Sequence, residues 1–326
     1  MGYVAGETIL DDEFNAFVAS SSDPYGFNHF AGTGATVYGL GQAAIPTVAG
    51  GTTTIAAAQW NSLLAGIDNI ANHTNDTMTA RTAVTAGDTI AIKSAVAADL
   101  ATLAASVAGG SVNATAISAG SELQSSRSST RYAGSHIVEH TVTFANANAM
   151  RFFFNAGGKI RVNLTRVGGG LANGSSTSAK DDSVDEMITA MGDFDIASIA
   201  STRSGTTETL TTDGLAIGFQ DVTTSYQTVF LLTQANGTYT SMTLKGEIKG
   251  NATAGSTTNV TIKMSLTDAD SGDILYTSGN LSSVDVNENF LGQTDFATKL
   301  MLPTTAQGLN PVYTLSGSAE TSNTTA

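Results

Sequence analysis

The chain has 326 residues, enough for two domains or for one large β domain with an appendage, and therefore for a substantial hydrophobic core. It contains no cysteine, which removes disulfide frameworks, thiolate zinc sites and cysteine nucleophiles together and suits assembly in a reducing cytoplasm. Its 14 Lys and Arg stand against 28 Asp and Glu, and the resulting net charge of −14 repels a phosphate backbone, so nucleic acid is not an expected partner.

Met1 to Ile9 has neither a basic segment nor an apolar run, so it does not read as a signal peptide. No stretch approaches the ~18 apolar residues of a spanning helix, so a soluble protein with no membrane partner is expected. Only 13% of residues are charged, while Gly, Ala, Ser and Thr dominate. A disordered chain would lack the alternating Val, Ile, Thr, Phe and Tyr that recur through the second half. The chain is expected to fold, and its low-charge, small-residue surface suits lateral packing between subunits.

Residues 1–110 carry a degenerate repeat. Ala5-Gly6-Glu7-Thr8-Ile9, Gly50-Gly51-Thr52-Thr53-Thr54-Ile55 and Ala86-Gly87-Asp88-Thr89-Ile90 each place a glycine turn and a Thr-Ile step before a helical segment. Thr8, Thr54 and Thr89 are the expected N-caps, their hydroxyls accepting free backbone N–H groups of the first turn. Apolar spacing of i, i+3/i+4 follows in each helix: Ile9, Leu10, Phe14, Phe17 and Val18; Trp60, Leu63, Leu64, Ile67 and Ile70; Ile92, Val96, Leu100, Leu103 and Val107. Three short one-sided helices bury little area alone, so they should dock on one another, on the remainder of the chain or on a neighbouring subunit. The candidate docking residues are Phe14, Phe17, Trp60 and Leu64. The connector from Ser20 to Gly41 is rich in glycine, serine and aromatics and reads as a surface wrap.

Residues 111–130 are Gly-, Ser- and Ala-rich and read as a linker. After Arg131 the period becomes two. His136, Val138, His140, Val142 and Phe144 share one face of a strand. Arg151 to Phe154 and Lys159 to Thr165 flank Asn155-Ala156-Gly157-Gly158, a hairpin signal. A helical insertion from Ser183 to Met191 ends at Gly192. Strands are then expected at Leu215–Phe219, Gln227–Leu232, Met242–Lys249, Asn259–Leu266 and Ile274–Tyr276. The fold class is therefore mainly β: an antiparallel β-sandwich body over 131–326 with one helical insertion, preceded by a small N-terminal region of short helices.

Candidate chemistry is sparse. His136-Ile137-Val138-Glu139-His140 matches the H-x-x-E-H string of one zinc peptidase class, whose histidines sit one turn apart on a helix. On a strand the two lie roughly 13 Å apart, too far to share a metal. Asp268, Asp270, Gly272 and Asp273 resemble a calcium loop, but the glycine falls one place early and the distal Glu is missing, which favours a solvated turn. Asp181, Asp182, Asp185 and Glu186 read as acids at a helix N-terminus rather than as a catalytic carboxylate pair. No catalytic, cofactor-binding or metal-ligating residue is therefore assigned, no cofactor is expected, and the chain does not read as an enzyme.

One segment carries a resemblance. Asn148-Ala149-Met150-Arg151-Phe152-Phe153-Phe154-Asn155-Ala156-Gly157-Gly158-Lys159-Ile160-Arg161-Val162 resembles the aromatic-Phe-Asn-x-Gly-Gly-x-Ile-Arg hairpin of virion structural proteins from tailed phages, especially marine cyanophages. Gly168 to Gly170, the Lys180 to Gly192 insertion, Ser225-Tyr226 and Tyr239 to Lys249 follow in the order of that family. Tyr38-Gly39-Leu40-Gly41-Gln42 and Thr54-Ile55-x-x-x-Gln59-Trp60-Asn61-x-Leu63 are similar to its recurrent N-terminal segments. The resemblance implies a tail, neck, fibre or capsid component that acts by subunit packing, with other virion proteins as partners and a homo-oligomer, first a trimer, as its state. Host-surface carbohydrate binding through Tyr226, Tyr239, Tyr276 and Tyr313 is the rival expectation.

Overall fold

The computed structural model describes residues 11–31, 39–50, 55–88, 93–113, 117–127, 131–132, 135–167, 179–197, 202–205, 222–236, 239–253, 255–268, 290–303 and 313–323. The chain divides into two compact units. One comprises Met1–Ser118, Asn148–Gly158 and Leu302–Val312; the other comprises Ala119–Ala147, Lys159–Met301 and Tyr313–Ala326.

The first unit is helical: α1 (Asp11–Val18), α2 (Phe27–Phe30), α3 (Ala57–Thr74), α4 (Lys93–Ala108) and, from later in the chain, α5 (Ala147–Asn155). The one-sided spacing of the helices is explained by a shared core of Phe14, Val18, Phe27, Phe30, Trp60, Leu63, Ile67, Ile70, Val96, Leu100 and Leu103. The described part of the aromatic connector does not wrap a surface. Its Phe27 and Phe30 enter this core, and Gly66 of α3 admits the Phe27 ring, because a Cβ there would lie 2.6 Å from it.

Thr54 is not the cap of α3. The N-cap position is Ala56, whose N–H donates to Gln59 Oε1 at 2.9 Å, one half of a capping box. The other expected caps, Thr8 and Thr89, lie outside the described residues, as does Thr54 itself. Three asparagines follow a core aromatic of their helix and clamp a later loop: Asn28 exchanges two hydrogen bonds with the backbone of Ile45, at 2.9 and 3.0 Å, and the other two mark the repeat. Asn15 exchanges two hydrogen bonds with the backbone of Val48, at 3.0 and 2.8 Å, and Asn61 does the same with Val84, at 2.9 and 2.9 Å. Each valine lies just ahead of the glycine turn that opens the next repeat, so each helix clamps the return loop that leads to its successor.

The segment read as a hairpin arm, Arg151–Phe154, is helical. Buried Ala149, Met150, Phe153 and Phe154 follow a helical repeat rather than alternation. Gly157, at φ +85°, ends α5. Gly158 N–H donates to Phe153 O at 2.8 Å and Gly157 N–H to Phe154 O at 3.0 Å, the paired bonds of a Schellman cap.

The second unit is mainly β. Its strands are β1 (Ile117–Arg127, starting just ahead of the boundary), β2 (Arg131–Tyr132), β3 (Ser135–Phe144), β4 (Lys159–Val167), β5 (Phe194–Ile196), β6 (Thr202–Arg203), β7 (Gln227–Asn236), β8 (Tyr239–Gly250), β9 (Asn259–Asp268), β10 (Phe290–Leu291), β11 (Gln293–Pro303) and β12 (Tyr313–Asn323). They form two five-stranded sheets, β1-β11-β4-β5-β6 and β12-β3-β9-β8-β7, and a small β10-β2 pair. Pairings are antiparallel throughout the second sheet and from β11 to β6 in the first. The helical insertion is α6 (Ala179–Met191), which packs on β7 and β8 of one sheet and β4 of the other and ends at Gly192, φ +57°. The reading of 111–130 as a linker is corrected: residues 117–127 are β1, whose weak Ser/Gly/Ala strand propensity is overcome by its place beside β11. The strands expected at Leu215–Phe219 and Ile274–Tyr276 lie outside the described residues.

Candidate functional site

Between the two sheets lies a buried polar layer. The alternation of β3 turns His136, Val138, His140, Val142 and Phe144 inward, as its period predicts. His136 Nδ1 lies 2.8 Å from Thr294 Oγ1, and His140 Nδ1 lies 2.8 Å from Thr298 Oγ1, so both rings are tied to β11 of the facing sheet. His140 Nε2 reaches Ser125 Oγ of β1 at 2.9 Å, and the His136 ring packs on Phe296 with centroids 4.9 Å apart. Both imidazoles are pushed down to about 4, by burial in each case and for His136 also by the charge of Arg127 against the opposing pull of Asp295. They are neutral at pH 7 and work as cross-sheet fasteners. Glu139 projects from the opposite face of β3, so the H-x-x-E-H residues cannot converge on one ion.

The opposite face of the β12-β3-β9-β8-β7 sheet is polar. Thr141 and Thr261 are linked at 3.1 Å and Ser135 and Thr267 at 3.3 Å. A row of alternating charge crosses its centre, with Glu139 opposite Lys263 and Lys263 opposite Glu247. Glu247 takes ammonium contacts from Lys245 at 2.6 Å and Lys263 at 3.2 Å. Burial pushes its pKa upward, but the hydrogen bonds and charges of the two lysines outweigh this and hold the carboxyl below its ordinary value. The Tyr226 hydroxyl donates to Glu139 at 2.6 Å, and the ammoniums of Lys249 and Lys263 lie 4.2 and 4.9 Å from its ring centroid. Burial first, then the hydrogen bond to Glu139 and the nearby carboxylates, raise the Tyr226 pKa.

On the other sheet, Arg161 of β4 grips its register partner Asp195 of β5 through two bonds of 2.7 and 3.1 Å and reaches Asp193 at 2.9 Å. The hydrogen bond to Asp195 raises the Arg161 pKa, against the opposing effect of burial. Arg166 fixes α6 to β4 through Asp185, at 2.9 Å. Asp185, considered above among the paired carboxylates, is thus part of a structural ion pair.

The four candidate docking residues are brought together, but inside their own unit. Phe14, Trp60 and Leu64 belong to the helical core, and Phe17 packs on it with its ring 6.1 Å from that of Trp60 in an edge contact. They are therefore corrected from docking face to core: one helical stripe can bury against only one surface, and the other helices of the unit already occupy it. The sequence names Tyr226 as a candidate aromatic but does not show its partners Glu139, Lys249 and Lys263, nor the Arg161–Asp195 pair. Alternation of Lys245, Glu247 and Lys249 along one strand was the available signal for the first; the second joins residues 34 apart, and no local pattern announces it. Asp270, Gly272, Asp273 and Tyr276 lie outside the described residues, and of the side chains of Asp268, Tyr239 and Tyr313 nothing is described. No protein-family model, curated protein or solved structure matches this chain.

Proposed function

We propose that this chain is a structural component of a tailed-phage virion, of tail, neck, fibre or adaptor type, acting through subunit–subunit packing and assembled in the host cytoplasm. The observation that carries the reading is the role of its chemistry-bearing groups. His136 and His140 fasten one sheet to the other, Arg161 and Asp195 join neighbouring strands, Arg166 and Asp185 anchor a helix, and Glu247 bridges two lysines. Each is a cross-link within the fold, which is what a load-carrying subunit requires. The resemblance of Asn148 to Val162 to virion proteins supplies the setting and suggests a homo-oligomer. Mass spectrometry of purified particles should find the chain at stoichiometric copy number; its absence from particles of a phage that encodes it would sink the proposal.

The rival, a host-surface carbohydrate-binding adhesin, has its best support in Tyr226, an aromatic on the polar sheet face. Its hydroxyl and ring are already engaged by Glu139, Lys249 and Lys263. A glycan array showing saturable binding that Tyr226→Ala removes would reverse the preference.

A further inference from the structure

The two flanks of the sandwich end differently. At one, the outermost strands are β6, which is two residues long, and β7, whose register against β8 shifts both between Thr228 and Phe230 and between Gln234 and Asn236. Short strands and bulges are the devices by which sheets blunt an open edge. At the other flank the outermost strands are β1 and β12, each of 11 residues, and among the described residues no strand pairs their outer edges. β12 keeps unbroken register from Tyr313–Phe144 to Ser318–Glu139 before shifting toward Ser322. Neither strand contains proline, and the unbroken part of β12 contains no charge. The two edges adjoin, because a Cβ on Gly317 of β12 would lie 2.4 Å from Leu123 of β1.

We propose that this flank is a self-association surface at which a second copy of the chain adds its own edge strands to both sheets. Three observations select a second copy over a foreign peptide. A peptide added to an edge gains specificity from pockets for its alternate side chains. Here most edge residues are Ser, Thr, Gly and Ala, and the exposed large apolar residues among those described, Tyr25 and Val167, lie on neither strand. The net charge of −14 makes copies repel each other on average; β12 carries one charge, Glu320, and on β1 Glu122 is neutralised by Lys299 at 2.5 Å while Arg127 is buried. Among the described residues these edges are thus a low-charge part of an acidic molecule, where a second copy meets little repulsion and finds strand edges of its own kind.

The inference rests on the subunit-packing proposal only for its biological setting, and the purified full-length chain tests it without particles. Sedimentation should give a mass that is a multiple of 33.2 kDa. Lysines at exposed edge positions, Thr314→Lys with Ser316→Lys or Gln124→Lys with Ser126→Lys, should return it to a single chain with unchanged circular dichroism, while Thr228→Lys on the bulged flank should leave the assembly intact. Hydrogen exchange gives a measurement independent of the variants: amides of residues 313–323 should exchange more slowly at high protein concentration than at low. A wild-type chain that stays at 33.2 kDa, an assembly that survives both lysine pairs, or concentration-independent exchange would each overturn the proposal. None of these results bears on whether the chain is found in particles.

Discussion

His136 and His140 make stability depend on pH. An imidazole whose pKa is about 4 in the fold and 6.5 when unfolded binds its proton more readily in the unfolded chain, so the stabilisation is full above pH 6.5 and is lost as pH falls toward 4. Below that, both states are protonated and no further loss comes from these rings. Each should account for roughly 2 kcal/mol or more across the window, moderated by Asp295 near His136. Denaturant unfolding at pH 7 and pH 4.5 should show a clear fall in midpoint, flattened in His136→Gln and His140→Gln; equal midpoints in the wild type would refute the buried-neutral assignment. The asparagine clamps give a second test at this scale. Asn61→Ala removes both bonds to Val84 and should cost about 1–2 kcal/mol, whereas Asn61→Asp keeps only the acceptor and should fall between the two. Thermal unfolding of the three proteins orders them.

Gly157 does its work on two elements, closing α5 and entering β4. At φ +85°, with a Cβ that would lie 2.4 Å from Val112 Cγ2, Gly157→Val should destabilise by about 1–3 kcal/mol from backbone strain alone, and more from the overlap. An unchanged melting temperature would place the cap elsewhere. The same turn shows what local sequence could and could not convey. Asn155 to Gly158 announced a reversal correctly, but Gly-Gly after aromatics serves a helix cap as well as a hairpin, and only the burial of Ala149, Met150, Phe153 and Phe154 separates the two. β3, β7, β8, β9, α3 and α6 were legible because each buries a single face and so prints a period of 2 or 3.6 on its sequence. β1 and β12 were not, because an edge strand of Ser, Gly, Thr and Ala has almost no apolar face to print. β5, with all three residues buried, has no alternation either.

At the scale of the whole chain, the helical unit is not a detachable N-terminal module. Ala156 sits in its core, Asn155 Nδ2 donates to Gly39 O at 3.1 Å, and Gly41 at φ +76° lies against Phe152. Deleting residues 1–110 should therefore leave α5 without these partners and yield an aggregating product rather than a free-standing β body; a monodisperse, cooperatively melting fragment would contradict this. For the same reason Trp60→Ala should act on folding, at about 3–5 kcal/mol, and not only on assembly. The return of Asn148–Gly158 to the helical unit also imposes an order on biosynthesis. A ribosome that has delivered α1 to α4 has not yet supplied Ala156, and it must translate the β3 strand of the other unit before it can. The helices thus wait, partly uncovered, while a strand with no sheet to join leaves the exit tunnel, so holding by a chaperone over this interval should raise the yield of native chain, and slow translation there, which prolongs the exposure, should lower it.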